Sequence, residues 1–168
     1  MRWFWTILVL VLSAGCGQRI IIYSPPPPSY PPVLSVDLKV TDLGEKIDWS
    51  DSLTTEPGHL LRFRVEIENS GSGMAHRVEI KISLADPFSY QKGSTTIGSN
   101  SAPDGICEEG LGINFLAPNS TKIIEFGVEI SELTTEDDYE VKVAVDAVNH
   151  PQLTDILKIH VASMVLKF

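Results

Sequence analysis

The feature that most constrains this fold is a strict alternation of apolar and polar residues that persists along most of the chain. In the clearest run, positions 61, 63, 65 and 67 are apolar while 62, 64, 66 and 68 are charged. Successive side chains of a β-strand point to opposite faces, so this period gives a strand with one buried face and one solvated face. The alternating runs are 34–40, 61–67, 78–84, 113–115, 124–130, 139–145 and 157–161.

These runs predict about seven strands, which are joined by segments rich in Gly, Pro, Asn and Ser and show no helical period. We therefore predict an all-β fold: a single immunoglobulin-like antiparallel β-sandwich over residues 33–163, followed by a short tail at 164–168. The turn residues at 69–73 predict a hairpin between the second and third strands. Phe63, Phe115 and Phe126 lie within alternating runs, and we expect all three in the core.

One segment of this pattern resembles the core signature of a family of bacterial surface modules, the cell-adhesion-related bacterial domain (CARDB) and similar conserved-repeat domains. The resemblance is carried by Gly58 before a strand, by Asn69-Ser70-Gly71 at the end of that strand, and by the later loop Leu116-Ala117-Pro118-Asn119-Ser120. It covers Val33 to about Ser163. It implies an immunoglobulin-like sandwich used for display, spacing and adhesion. Family members are usually arranged in tandem, whereas this chain has one copy, which argues against a purely spacing role.

The amino terminus has the three regions of a secretory signal. The charge of Arg2 precedes an apolar stretch from Trp3 to Leu12, and small residues then lead to Cys16. These small residues resemble the lipobox of bacterial lipoproteins, although Ser13 stands where that family usually has Leu. The resemblance implies that residues 1–15 are a signal peptide and that Cys16 becomes the lipidated first residue. The alternative is an uncleaved membrane helix, but the stretch is shorter than the roughly 20 apolar residues that a span requires.

Residues 16–32 form a proline-rich linker in this interpretation. Consecutive prolines at 25–28 fix φ and favour an extended polyproline II spacer, with a proline-recognition ligand as the alternative. Gly17 follows the lipidated cysteine where an Asp would be typical of inner-membrane retention. By resemblance, we expect the outer membrane if the host has two membranes, and otherwise a lipid-anchored position in the cell envelope.

The charge of the chain excludes one class of partner. The formal net charge is −9 and becomes slightly more negative when Arg2 leaves with the signal peptide. Nucleic-acid binding depends on clustered Lys and Arg that neutralise phosphates, so we expect no nucleic-acid partner. The expected contacts are the membrane, through the lipid anchor, and a protein or glycan in or outside the envelope.

No motif for catalysis or cofactor binding is present, and we expect neither an enzyme nor a cofactor. The four histidines have no metal-ligand spacing, and once Cys16 is lipidated Cys107 has no partner for an internal disulfide. A buried or half-buried Cys107 thiol is expected, with an intermolecular bridge as the alternative. Among the acidic loops, Asp104, Glu108 and Glu109 are candidate calcium ligands on ligand type alone, with solvated loop charges as the alternative.

The sequence therefore predicts a non-enzymatic, lipid-anchored envelope protein whose immunoglobulin-like domain mediates protein or glycan binding or adhesion. The alternative from another class is a structural accessory subunit of an envelope complex.

Overall fold

The computed structural model describes residues 30–44 and 48–162, and every regular element in them is a strand. These residues therefore contain no helix long and apolar enough to cross a membrane. The strands are β1 (Leu34–Asp42), β2 (Ser52–Thr55), β3 (Leu60–Asn69), β4 (Ala75–Leu84), β5 (Phe88–Tyr90), β6 (Thr96–Ile97), β7 (Asn100–Ser101), β8 (Leu111–Leu116), β9 (Ser120–Ile130), β10 (Asp137–Ala147) and β11 (His150–Val161).

The strands form two sheets that pack face to face. Sheet A has the order β1-β3-β9-β6-β7, with β5 also paired to β9, and sheet B has the order β2-β11-β10-β4-β8. The predicted all-β, immunoglobulin-like sandwich is confirmed, and the seven predicted runs correspond to β1, β3, β4, β8, β9, β10 and β11. The other four strands have two to four residues each. A period of two cannot be recognised over so few positions.

Two details of the predicted pairing are wrong. The sandwich is not purely antiparallel, because β2 pairs with β11 in parallel, from Ser52 opposite Lys158 to Thr55 opposite Val161. The segment after β3 is not a hairpin either. Strand β3 pairs with β1 and β9 in sheet A, whereas β4 pairs with β10 and β8 in sheet B, so residues 70–74 cross from one sheet to the other.

Asn69 explains why this crossing needs its particular residues. Its side chain is fully buried, and Oδ1 accepts hydrogen bonds from the amides of Val33 (3.2 Å) and Gly71 (3.1 Å). Its Nδ2 donates to the carbonyls of Gly73 (2.8 Å), Leu116 (3.1 Å) and Ala117 (3.1 Å). One amide side chain thus satisfies backbone groups of three segments: the chain before β1, the crossing after β3, and the end of β8.

The core lies between the sheets and is built from the apolar half of each alternating run. Phe63 of β3 and Phe126 of β9 stack with ring centroids 5.3 Å apart. Phe115 is the exception to the predicted core, because 55% of it is exposed. It lies on β8, the outermost strand of sheet B, and its neighbours Leu111 and Leu116 fill the core there instead.

The two sides of the sandwich are closed in different ways, one by an irregular segment and the other by a contact between β1 and β11. On one side, the amide of Ile82 donates to the carbonyl of Ile106 (3.0 Å), and the fully buried Ile106 side chain joins the core. On the other side, the Leu38 amide of β1 donates to the Asp155 carboxylate of β11 (2.9 Å). The edge of β1 is thereby tied to the opposite sheet.

Candidate functional site

A pocket of about 240 Å³ lies on the side of the sandwich closed by residues 102–110. It is lined by Tyr90, Lys92, Asp104, Gly105, Glu108 and Glu109. The carboxylate of Asp104 accepts hydrogen bonds from the Tyr90 hydroxyl (2.6 Å) and the Gly93 amide (2.7 Å). The hydrogen bond from Tyr90, followed by that from Gly93, lowers the pKa of Asp104. Burial, followed by Asp104, raises the pKa of Tyr90. The Tyr90 hydroxyl therefore keeps its proton and donates it in the hydrogen bond to Asp104.

The three candidate calcium ligands line this same pocket, but they are not arranged as a metal site. Among residues 30–44 and 48–162, no three His, Cys, Asp or Glu side chains are positioned to hold a metal ion. The donors of Asp104 are groups of the protein itself. Calcium binding by Asp104, Glu108 and Glu109 therefore stays a prediction based on ligand type.

Cys107 lies in the same segment as a half-buried thiol, as expected. Burial, with a smaller contribution from the neighbouring Glu108, raises its pKa to about 11. Only the thiolate is a strong nucleophile, so this residue is unreactive at neutral pH. No second cysteine is present in the part of the chain that the structure describes.

A polar cluster that the sequence analysis missed joins the end of β1 to the end of β2. Nδ1 of His59 lies 2.7 Å from Oδ2 of Asp42, and the Thr55 hydroxyl donates to the same oxygen at 2.7 Å. The Gly44 amide donates to Oδ1 (2.8 Å), so the buried carboxylate is well satisfied. Burial alone would raise the pKa of Asp42, but hydrogen bonds from His59, Thr55 and Gly44 together lower it.

This cluster does not have the geometry of a nucleophile and its base. In a hydrolytic triad the hydroxyl and the carboxylate contact opposite nitrogens of the imidazole ring. Here Thr55 and Asp42 both lie near Nδ1 of His59, at 3.3 and 2.7 Å. The three residues are up to 17 positions apart in sequence, and no local motif marks them. The arrangement instead ties β1, β2 and the loop before β3 together.

The other three histidines are held by different partners. Nδ1 of His160 lies 2.8 Å from Asp138. Nε2 of His150 accepts from the Leu34 amide (3.2 Å) while Nδ1 lies 2.7 Å from the Pro151 carbonyl, which places the proton on Nδ1. His76 is exposed on β4. The structure therefore does not bring the histidines together.

The two ends of the sandwich differ sharply. At one end, which we name the linker end, residues 30–33 pack on the 70–74 crossing beside the loops at 117–119 and 148–149. The carbonyl of Pro31 accepts from the Gly73 amide (3.3 Å), and that of Val33 accepts from the Ser70 amide (2.9 Å). None of these four segments contains an Asp, Glu, Lys or Arg.

The opposite end, which we name the acidic end, consists of residues 56–59, 85–87 and 131–138. The Gly58 amide donates to the Ile130 carbonyl (3.1 Å) and the Ser131 amide to the Pro87 carbonyl (3.4 Å), so the segments adjoin. They contain no Lys or Arg. Their six carboxylate residues are all exposed: Glu56, Asp86, Glu132, Glu136, Asp137 and Asp138.

Cys16, most of the linker at 16–32 and the tail at 164–168 lie outside the described residues. Residues 30–32 are the part of the predicted linker that the structure describes, and Val33 is the first residue of the predicted sandwich domain.

Comparisons with known proteins concern the fold. No protein-family model matches the sequence, and no curated protein sequence matches it either. BcpA, the major pilin subunit of Bacillus cereus, is similar with a TM-score of 0.54 and 8% identity, over 77% of this chain and 40% of that one. A putative membrane anchored protein from Corynebacterium diphtheriae gives 0.53 and 13% identity, over 80% of this chain and 37% of that one.

The CARDB domain of the PF1109 protein from Pyrococcus furiosus gives a TM-score of 0.47 and 14% identity, over 78% of this chain and 94% of that one. The chain spans less than half the length of the pilin subunit and of the anchored protein. At these identities the likeness concerns the sandwich alone.

Proposed function

We propose that this chain is a lipid-anchored protein of the bacterial cell envelope whose immunoglobulin-like domain binds a protein or glycan partner and catalyses no reaction. The anchor is Cys16, at the end of the signal-like segment. Two features of the described residues support a binding role over catalysis. The thiol of Cys107 has a pKa of about 11, and the hydroxyl of Thr55 donates to the Asp42 carboxylate, which the nearby His59 contacts through the same Nδ1 that lies 3.3 Å from that hydroxyl.

The observation that carries the proposal is the separation of the acidic end from the linker end. A tether attached at residues 30–33 leaves the opposite loops free to meet a partner. Those loops carry six exposed carboxylates and the most exposed large apolar side chain, Leu133, at 91%. An apolar side chain surrounded by charge of one sign suits a partner that carries the opposite charge.

This chemistry favours a partner surface with clustered Lys or Arg, and hence a protein over a neutral glycan. Complementary charge mainly raises the association rate and sets specificity, and salt weakens it. The binding is therefore expected to fall as ionic strength rises.

The test is capture of partners from intact envelopes with the full-length chain. Neutralising Glu132 and Asp137 (Glu132→Gln with Asp137→Asn) should reduce the amount of captured partner. The matched control neutralises two exposed carboxylates that pair with each other on the outer face of sheet B, Glu79→Gln with Asp146→Asn, and should capture as much as the parent. Equal loss in both variants would contradict recognition by the acidic end. A stoichiometric membrane complex that both variants retain would favour the accessory subunit.

The anchor is tested separately by metabolic labelling with palmitate. The parent chain should be labelled and remain with the membrane fraction, whereas Cys16→Ala should carry no label. An unlabelled parent chain would remove the lipid anchor from the proposal while leaving the test of the acidic end intact.

A further inference from the structure

Exposed apolar side chains concentrate at the linker end. Eight large apolar residues of the described chain are exposed, and five of them lie there. These five are Tyr30 (61%), Val33 (52%), Met74 (38%), Phe115 (55%) and Val148 (73%). Single exposed apolar residues are ordinary on a protein surface, but a contiguous group marks an interaction site.

Hydrogen bonds and strand pairing show that these residues adjoin one another. Asn149 donates to the carbonyl of Met74 (2.8 Å), and the amide of Val148 donates to the carbonyl of His76 (3.0 Å). His76 is the direct cross-strand partner of Phe115. Residues 30–33 pack on the 70–74 segment that ends at Met74. The five side chains therefore belong to one surface.

The linker end is better suited to contact a membrane than the rest of the molecule is, because it carries no negative charge. Bacterial membrane surfaces are anionic, and an acidic surface is repelled from them. The chain has a net charge of −9, yet the four segments of the linker end contain no acidic residue, and six exposed carboxylates lie at the other end. The neutral, apolar end is the one that can approach lipid headgroups.

The length of the connecting chain keeps this surface within reach of the bilayer. Residues 17–29 separate Cys16 from Tyr30, and even fully extended they reach only about 45 Å. A tether this short holds the domain at an effective concentration of about millimolar relative to the membrane surface, so a small apolar contact is enough to populate the bound state.

We propose that the linker end lies on the membrane surface, with Tyr30, Met74, Phe115 and Val148 in contact with the headgroup region. This inference rests on the lipid anchor proposed above. In this arrangement the strands stand roughly perpendicular to the membrane surface, and the acidic end points away from the bilayer.

The test uses the full-length acylated chain in vesicles of phosphatidylethanolamine and phosphatidylglycerol. In a Cys107→Ser background, a fluorophore is attached through Val148→Cys at the linker end or through Leu133→Cys at the acidic end. Lipids with brominated acyl chains quench fluorophores close to the bilayer. The label at Val148 should be quenched several times more strongly than the label at Leu133. Flotation of the chain with the vesicles reports the anchor independently.

A second set of variants tests the surface itself. Phe115→Glu should reduce quenching at Val148 without changing flotation, whereas Leu43→Glu, at an exposed apolar residue away from the linker end, should change neither. Flotation with equal quenching at both labels would overturn the docking and leave the anchor standing. Failure to float would overturn both. Photo-crosslinking of position 148 to a protein in native envelopes, without quenching in vesicles, would make this surface a protein interface and also overturn the proposal.

Discussion

Replacing Asn69 by Ala should cost a large part of the stability of the domain. Three contacts of its side chain are buried, those with the Gly71 amide and with the carbonyls of Gly73 and Leu116. At about 1 kcal/mol for each lost hydrogen bond, the free energy of unfolding should fall by about 3 kcal/mol. That is a substantial fraction of the roughly 5–15 kcal/mol typical of a domain.

Urea unfolding measures this change, with the fluorescence of Trp49 as the probe. The other two tryptophans, Trp3 and Trp5, lie in the predicted signal peptide. A loss of 3 kcal/mol should lower the midpoint by about 1–3 M urea. The control is Ser70→Ala, at an exposed neighbour whose hydroxyl makes one long hydrogen bond (3.3 Å), and it should stay within about 0.5 kcal/mol of the parent.

A near-isosteric variant separates the accepting half of the side chain from the donating half. Asn69→Asp keeps an acceptor for Val33 and Gly71 but turns a carboxylate oxygen towards three carbonyls, so at neutral pH it should be at least as destabilising as Asn69→Ala. A cost below about 1 kcal/mol for either variant would refute the view that this network holds the crossing together.

Two further predictions follow from other parts of the structure. The lowered pKa of Asp42 means that the unfolded chain takes up the proton first, so stability present above pH 3.8 is lost as the pH falls through the folded value. Asp42→Asn should remove this part of the acid dependence in unfolding curves measured across that range, and an unchanged slope would contradict it. A Cβ at Gly73 would collide with the Tyr30 carbonyl, whereas one at Gly112 meets nothing within 4 Å. Gly73→Ala should therefore expose residues 30–33 to limited proteolysis and Gly112→Ala should not, and equal cleavage would argue against the docked linker.

The long strands could be predicted from the sequence because each has a polar and an apolar face over at least three alternating positions. It failed at 69–73, because Asn, Ser and Gly suit a hairpin turn and a crossing between sheets equally well. Only the distant partners of Asn69, Leu116 and Ala117, distinguish the two. Phe115 was misplaced because the alternation of faces breaks within β8, where Leu111 and Leu116 are buried and Phe115 is exposed, and apolar character alone does not reveal such a break.

The polar clusters were less predictable than the strands. The carboxylate of Asp104 is visible in the sequence as a possible ligand, but its hydrogen-bond partner Tyr90 lies 14 positions away and no local motif connects the two. The cluster of Asp42, Thr55 and His59 depends on the parallel β2–β11 pair, which no local pattern in a four-residue strand indicates. The contrast between the two ends was present in the composition of the loops. It became visible only when the strand order showed which loops share an end.

The direction of β1 and β11 has a mechanical consequence. Both strands run from the linker end to the acidic end, so Tyr30 and Ala162 lie at opposite poles of the sandwich. Tension between these poles acts along the strands and strains the nine residue pairs of β1 and β3 in shear, together instead of one after another. Forced unfolding is governed by the rate of crossing the unfolding barrier. A sandwich on which force acts in this direction should therefore unfold slowly.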